Sequence, residues 1–550
     1  MELVYLWVEK YKNIKKQGFE FSPKYDYPFD GTNLTINPKK HIENLFGNKI
    51  NITAIVGENG SGKSNILKSL FHNSDNESAG DKYWYILNTN NELKIYFIDY
   101  QGIYENKNIQ INHTYNIDSL KETSTIQKQL NFSMIYFSNV LHYLPVHDNK
   151  QNKSFYNISI SYLIDRYVKK LQSEEFIEFK YQYNYYKSKM IEQTLIMLKN
   201  SNLQLDFELP KELNIVIQST YPLDNFKKMQ QLLSEDNKPC FRLSVKKNII
   251  YNYLFDYLEE EELQRLLDDK DKKTIENFYE YIKTRIPFDD ELDNFLDLLE
   301  NPSSIMTNIE IKDIDQNFIE KLKAFNKIQS ISLGILDVLD FNWKPELSSG
   351  EENFLFQFAS FYKILENANN LKEDITILID EGETTMHPNW QKKYIKYYID
   401  FFESNFKDKN IHIILTSHSP FILSDLPKEN VIFLKKDNET GRCINDTKNT
   451  NMKPFGANIH TLLSDGFFMD GGLMGEFAKS KITEILKYLN CDEDLKTIKP
   501  SQVKSIIESI GEDFLRLKLL TSYNKKFVKD KKQLLKDSIQ KLQDELNELD

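Results

Sequence analysis

The chain has 550 residues, 40% of them hydrophobic and 28% charged, which suits more than one core and is too apolar for general disorder. A formal net charge of -12 argues against general affinity for nucleic acid, whose binding is dominated by neutralised phosphates. Cys240, Cys443 and Cys491 form neither a CxxC pair nor a disulfide framework, and no secretory leader pattern or membrane-length apolar run stands out, so a cytoplasmic protein with no membrane partner is expected.

In chain order, LVYLWV and FEF alternate bulky and polar residues and predict two strands joined by the polar turn EKYKNIKKQG. The β-branched run ITAIV predicts a strand ending at a glycine, and SNILKSLF after it has helical apolar spacing. YWYIL, LKIYFIDY and FSMIYFSNV add strands rich in aromatic and β-branched residues. From about Tyr156 to Ser332 the texture changes. SYLIDRYVKKLQSEEFIEF, YNYLFDYLEEEELQRLLDD and KTIENFYEYIKTRI place apolar residues at helical spacing amid dense charge, predicting amphipathic helices. Their heptads are too short-lived for a long coiled-coil arm, and NIVIQST and CFRLSV predict a few interrupting strands. From Leu347 the pattern is again α/β: helix ENFLFQFASFYKILENA, strand ITILI, helix NWQKKYIKYYIDFFESNF, strand IHIIL. From Asn458 it is helical, and Leu535, Ile539, Leu542, Leu546 and Leu549 form a tail stripe suited to packing on a partner helix or on the chain's own domain.

Gly57, Gly62, Lys63 and Ser64 fit G-x-x-x-x-G-K-[ST], where a predicted strand meets a predicted helix. Glycines let several backbone N–H groups face one phosphate, and the helix N-terminus adds its positive dipole end. The loop assigns nucleotide binding to Gly57, Asn59, Gly60, Ser61, Gly62, Lys63, Ser64 and Asn65, with Lys63 reaching the β and γ phosphates of ATP and Ser64 binding Mg²⁺. ITILIDEGE supplies Asp380 as a second Mg²⁺ ligand and Glu381 as the base for an attacking water. His418 follows IHIIL at a predicted strand end, where an imidazole can bond the γ phosphate or hold the water. ELSSGEENFLFQF opens a helix with Ser348, Ser349, Gly350 and Glu351, another anion-binding N-terminus; alone it is a weak signal, because Ser-rich caps are common.

GENGSGKS, LSSGEE, ILIDEGE and TSHSP, in that order, resemble the P-loop, signature, Walker B and switch-histidine motifs of ABC-type ATPases, in the branch of RecF, SMC proteins and OLD-like ATPases. VYLWVEKYKNIKKQGFEF is similar to that branch's first hairpin, and DEGETTMHPNWQ to its Walker B and D-loop. The resemblance covers roughly Met1 to Val146 and Leu347 to Phe433. It implies an α/β, ABC-type P-loop head: an N-terminal lobe in 1–155, a helical insertion in 156–332 between Walker A and signature motifs, a C-terminal lobe in 333–450 and a helical C-terminal region in 451–550. It further implies a homodimer or higher even oligomer sandwiching two ATP molecules. Ser348, Ser349, Gly350 and Glu351 of one subunit would then meet Lys63, Ser64, Asp380, Glu381 and His418 of the other. The family's Q-loop glutamine has no clear counterpart: Gln127 and Gln129 precede NFSMIYF, and Ser138 and Asn139 follow it.

Phe455 to Lys481, FGANIHTLLSDGFFMDGGLMGEFAKSK, resembles the segment after the core in PtuA, the ATPases of Septu-type anti-phage systems, some attached to retrons. That resemblance implies a bacterial defence role beside a separate HNH nuclease (PtuB-like) and, in some systems, a retron reverse transcriptase with its nucleic acid. A Toprim site is not expected, since Asp492, Glu493 and Asp494 follow no apolar strand ending in Glu, and His142 and His147 have no nearby carboxylate pair for a metal. The competing reading is a RecF/SMC-like DNA-binding repair ATPase. A transporter's ATP subunit fits poorly, given the long insertion and the SHSP and DEGE wording.

Overall fold

The computed structural model describes residues 2–71, 82–89, 92–99, 102–127, 130–139, 154–168, 179–217, 306–329, 339–366, 371–466, 474–491 and 493–527, with 535–536, 538–540 and 543. The predicted helices YNYLFDYLEEEELQRLLDD and KTIENFYEYIKTRI, the strand CFRLSV, and Gln129, His142, His147, Cys240, Asp492, Leu542, Leu546 and Leu549 lie outside the described residues.

Strands β1 (Glu2–Tyr11) and β2 (Ile14–Glu20) form the first hairpin. Its turn is only Lys12 and Asn13, with Lys12 at φ 49°, shorter than its composition predicts. Lys10 and Lys15 pair across the ladder while facing water, so their polarity does not end the strands. Next, β3 (Ile50–Gly57) passes through the P-loop into helix α1 (Lys63–Leu70). Strands β4 (Lys82–Thr89), β5 (Glu92–Asp99), β6 (Gly102–Ile109) and β7 (Thr125–Ile126) complete an antiparallel sheet in the order β7-β6-β5-β4-β1-β2.

After β8 (Ser133–Ser138) and β9 (Phe155–Asn157) come α2 (Ile160–Val168) and α3 (Phe179–Asn200). NIVIQST supplies β10 (Glu212–Ile217), the middle of a small antiparallel sheet with β11 (Met306–Glu310) and, beyond α4 (Gln316–Gln329), β12 (Leu339–Lys344). The chain then runs through α5 (Ser349–Glu366), β13 (Asp374–Asp380), α6 (Tyr394–Asn405), β14 (Asn410–Ser417), β15 (Val431–Lys436) and β16 (Cys443–Asn445).

The central sheet has the order β9-β8-β13-β14-β3-β15-β16 and is parallel except for β16. Its strands divide by alternation. Ile52, Ala54, Val56, Ile377, Ile379, Ile413 and Leu415 join a core with α3, α5 and α6. Ile55, Leu378, Ile414 and Ile432 join a second core with α1 and the antiparallel sheet. Burial on both faces is why ITAIV, ITILI and IHIIL are apolar at both alternations, interrupted only by the buried Thr53, Thr376 and His412. The result is an α/β fold dominated by a parallel sheet, with helices extending into the C-terminal region.

Met1–Phe468 and Met469–Asp550 are two compact units. The second holds α7 (Glu476–Asn490), α8 (Val503–Glu508) and α9 (Asp513–Phe527) around Ile485, Val503, Ile507 and Leu519. Among the described residues no helix is long and apolar enough to cross a membrane.

One polar residue ties the central sheet to the first strand. His412 on β14 is fully buried, and its Nδ1 accepts from the Leu3 N–H at 3.0 Å. Its Nε2 lies 3.0 Å from Thr53 Oγ1, whose own proton goes to the Phe21 carbonyl at 2.8 Å. These partners select the neutral tautomer protonated on Nε2. Burial pushes the imidazole from 6.5 down to about 3. The stability contributed by neutral His412 is therefore complete above the unfolded value and is lost as pH falls from there toward the folded one, at about 1.4 kcal/mol per pH unit. In chemical denaturation, His412→Gln is expected to be less stable than the parent at neutral pH yet to lose less of its stability between pH ~7 and ~5.

Candidate nucleotide-binding site

The P-loop stands at the carboxyl end of β3, between two neighbours that reach the same edge of the sheet. Gly62 has φ 108°, and a Cβ there would meet Asn13 Oδ1 at 3.1 Å and Cys443 Cβ at 3.2 Å, so only glycine lets the loop enter α1 at this angle. Lys63 is 5% exposed; its ammonium donates to the carbonyls of Gly57 at 3.1 Å and Glu58 at 3.0 Å. Burial lowers its pKa, against the opposing pull of Glu381 and Asp380. Two of its three N–H groups are engaged, so an anion in the loop has both a donor and a charge to meet. The fully buried Ser61 hydroxyl has no protein partner among the described residues, a further polar group fitted to a ligand. Asn59 and Gly60 form the exposed tip, and Asn65 on α1 donates to Asn13 Oδ1 at 2.8 Å.

Parallel pairing sets the acidic half. Asp380 ends β13 between Ser138 of β8 and Thr416 of β14. It is 1% exposed and surrounded by hydroxyl donors: Ser64 Oγ at 2.9 Å and Thr416 Oγ1 at 2.7 Å to Oδ1, and Tyr136 OH at 3.1 Å to Oδ2. Burial, reinforced by Asp380, raises the Tyr136 pKa and keeps the phenol a donor. Ser64 and Asp380 thus present oxygens to one point, the hard donor set that suits Mg²⁺. Among the described residues no cluster of three or more His, Cys, Asp or Glu could hold a metal, so further ligands there would be phosphate oxygens and water.

Glu381 has φ 51°, a left-handed conformation that costs a non-glycine residue roughly 1–3 kcal/mol. It is held there by its N–H, which donates to Thr416 Oγ1 at 3.0 Å. Its carboxylate Oε1 lies 3.4 Å from His418 Nε2, both side chains partly exposed. Glu383, 4% exposed, accepts from Ser417 Oγ and from the His418 N–H at 3.1 Å, clamping the end of β14 to the loop after β13. Burial raises its pKa.

Lys63, Ser64, Asp380, Glu381 and His418 are therefore brought together. The predicted signature residues stand elsewhere, at the start of α5. Ser348 and Glu351 cap each other, Ser348 N–H to Glu351 Oε2 at 2.8 Å and Glu351 N–H to Ser348 Oγ at 3.4 Å. Ser348 and Ser349 are exposed; Gly350 is buried, and a Cβ there would stand 2.9 Å from the Thr385 carbonyl in the loop after Glu381. Gln127 bonds Thr125, whereas Asn139 donates to the Gly382 carbonyl at 2.7 Å, beside the acidic loop. Sequence reasoning missed Asn13, Tyr136, Glu383 and Thr416. Glu383 and Thr416 lie within DEGE and TSHSP, the usable signal; Asn13 and Tyr136 acquire meaning only through pairing of distant strands.

A glycine-rich loop opening a helix beside a strand-end carboxylate defines a P-loop nucleotide-binding protein. The chain belongs to the AAA ATPase domain family, which it matches over residues 32–423. Among solved structures it is similar to the recombination mediator protein RecF with ATPrS in the RecFOR pathway, at 12% identity over 80% of this chain and 97% of that one, TM-score 0.24. It is also similar to the SMC head domain from Thermotoga maritima, at 11% identity over 81% of this chain and 99% of that one, TM-score 0.27. No curated protein matches the sequence. The assignment rests on the family match.

Thr416→Val keeps the side-chain shape but removes the donor to Asp380 and the acceptor for the Glu381 N–H. It is expected to raise the Mg²⁺ concentration for half-maximal ATP hydrolysis about tenfold in a metal titration, as losses around metal ligands do.

Proposed function

We propose that the chain binds ATP with Mg²⁺ in its P-loop, hydrolyses it slowly as a head-to-head dimer, and through that cycle regulates a separate effector nuclease in bacterial anti-phage defence. The observation that carries the ATPase reading is the convergence of Lys63, Ser64, Asp380, Glu381 and His418 at one edge of the parallel sheet. Mg²⁺ held by Ser64 and Asp380 would neutralise charge on the phosphates. Lys63 would exchange its carbonyl partners for β and γ oxygens, the loop amides from Gly57 to Asn65 would cradle the chain of phosphates, and Glu381 would take a proton from the attacking water that His418 helps to hold.

The dimer is supported by the position of Ser348, Ser349, Gly350 and Glu351. Ser348 and Ser349 are exposed at the start of α5 and, among the described residues, their side chains make no hydrogen bond to the chain's own P-loop, which leaves this helix N-terminus open to a γ phosphate held by a second subunit. The effector reading rests on the PtuA-like segment Phe455 to Lys481. It names an HNH nuclease as partner, with a retron reverse transcriptase and its nucleic acid in systems that have one, in the cytoplasm.

Glu381→Gln is expected to trap the ATP state. By light scattering it should double its mass with ATP and Mg²⁺ and stay monomeric when Ser349→Arg, at the exposed start of α5, is added; a mass indifferent to nucleotide would end the dimer reading. Co-purification of a nuclease encoded beside the gene supports the effector role, and nucleotide-dependent binding of duplex DNA with a steep salt slope supports the repair alternative instead.

A further inference from the structure

The hairpin of β15 and β16 is packed hard against the P-loop. Leu434 pairs with Gly57, and its carbonyl oxygen lies 2.1 Å from where a Cβ on Gly57 would stand. Two residues on, Lys436 reaches the tip of the loop: its Cδ and Nζ both lie 3.9 Å from the Cβ position of Gly60. Gly60 is also held by Asn13, whose Nδ2 donates to the Gly60 carbonyl at 3.3 Å. The Asn13 carbonyl in turn accepts from the Cys443 N–H at 3.0 Å, and Cys443 is the cross-strand partner of Lys436. The first hairpin, the P-loop and the last hairpin thus form one collar.

The root of Lys436 is fixed. Asp437 Oδ1 accepts from the N–H groups of Thr440 at 2.6 Å and Glu439 at 3.2 Å, and the Asp437 N–H donates to the Arg442 carbonyl at 2.8 Å, closing a tight turn. The neighbouring Lys435 is paired with Asp446 at 2.7 Å. Lys436 is exposed and has no ion pair among the described residues, although it stands over a loop built to receive phosphate.

We propose that Lys436 contacts the bound nucleotide, as a second cation besides Lys63, closing over the α and β phosphates from the last hairpin. The position over Gly60 selects those phosphates, because the loop's backbone cradles α and β while its lysine reaches β and γ. The contact is therefore common to ATP and ADP. It lies outside the Walker, signature and switch motifs, and it rests on the P-loop reading given above.

The test is equilibrium binding of fluorescent ATP and ADP to the full chain and to Lys436→Ala, Lys436→Glu, Lys436→Arg and Lys63→Ala. Lys436→Ala is expected to weaken both nucleotides about fivefold and Lys436→Glu roughly tenfold or more, with a loss that shrinks as salt is raised. Lys436→Arg should stay within about twofold of the parent, as a retained cation would. Lys436→Ala and Lys436→Glu should melt with the parent, since the side chain is exposed. Parent-like binding by Lys436→Ala and Lys436→Glu, with Lys63→Ala defective, overturns the inference alone. A loss confined to ATP overturns the placement over the α and β phosphates. A parent chain that binds neither nucleotide overturns the P-loop reading and the inference together.

Discussion

The carboxylate of Asp380 is the point on which the rest of the site depends. It is buried at the end of an apolar strand, where an unpaired charge would be costly, and hydroxyls from three separate segments satisfy it: Ser64 from the P-loop helix, Thr416 from β14 and Tyr136 from β8. Each of those hydroxyls is placed by the fold rather than by the carboxylate. Ser64 follows the loop into α1, and Thr416 and Tyr136 sit on strands whose parallel register with β13 is fixed by burial on both faces. A one-residue slip in either pairing would turn the hydroxyl to the opposite face and leave the carboxylate without it.

The same register explains the residues around it. Thr416 serves twice, donating to Asp380 and accepting from the Glu381 N–H, so the proposed metal ligand and the proposed base share one support. Glu383 fastens the backbone of His418 to the loop that carries Glu381. On the far side of β3 the last hairpin and Asn13 hold the P-loop tip. Phosphate loop, acidic loop and histidine are thereby tied together at one edge of the sheet, the kind of arrangement that the proposed phosphoryl transfer would use.

Much of this was legible in the sequence. ITAIV, ITILI and IHIIL read as strands because each is buried on both faces, and the residues just beyond them, Gly57 to Ser64, Asp380 with Glu381, and His418, do meet. What could not be read was pairing between distant segments. Tyr136 is an ordinary strand tyrosine until β8 is laid beside β13, and Asn13 is a turn residue until its hairpin is packed on the P-loop. The turn itself was overestimated, because lysines on solvent-facing strand positions look like loop residues. NIVIQST was visible as a strand, yet its neighbours β11 and β12 lie far away in the chain, so the small sheet they form had no local signature.

The most direct test of the account is phosphate release from ATP by the parent chain and Glu381→Gln at saturating ATP and Mg²⁺, with bound nucleotide counted in the same samples. Turnover is expected to fall by about 10² to 10⁴ while ATP stays bound, the loss that follows removal of a general base. Turnover equal to the parent's with ATP bound would contradict it, because Glu381 would then not be the base and the cluster around Asp380 would not be the hydrolytic centre.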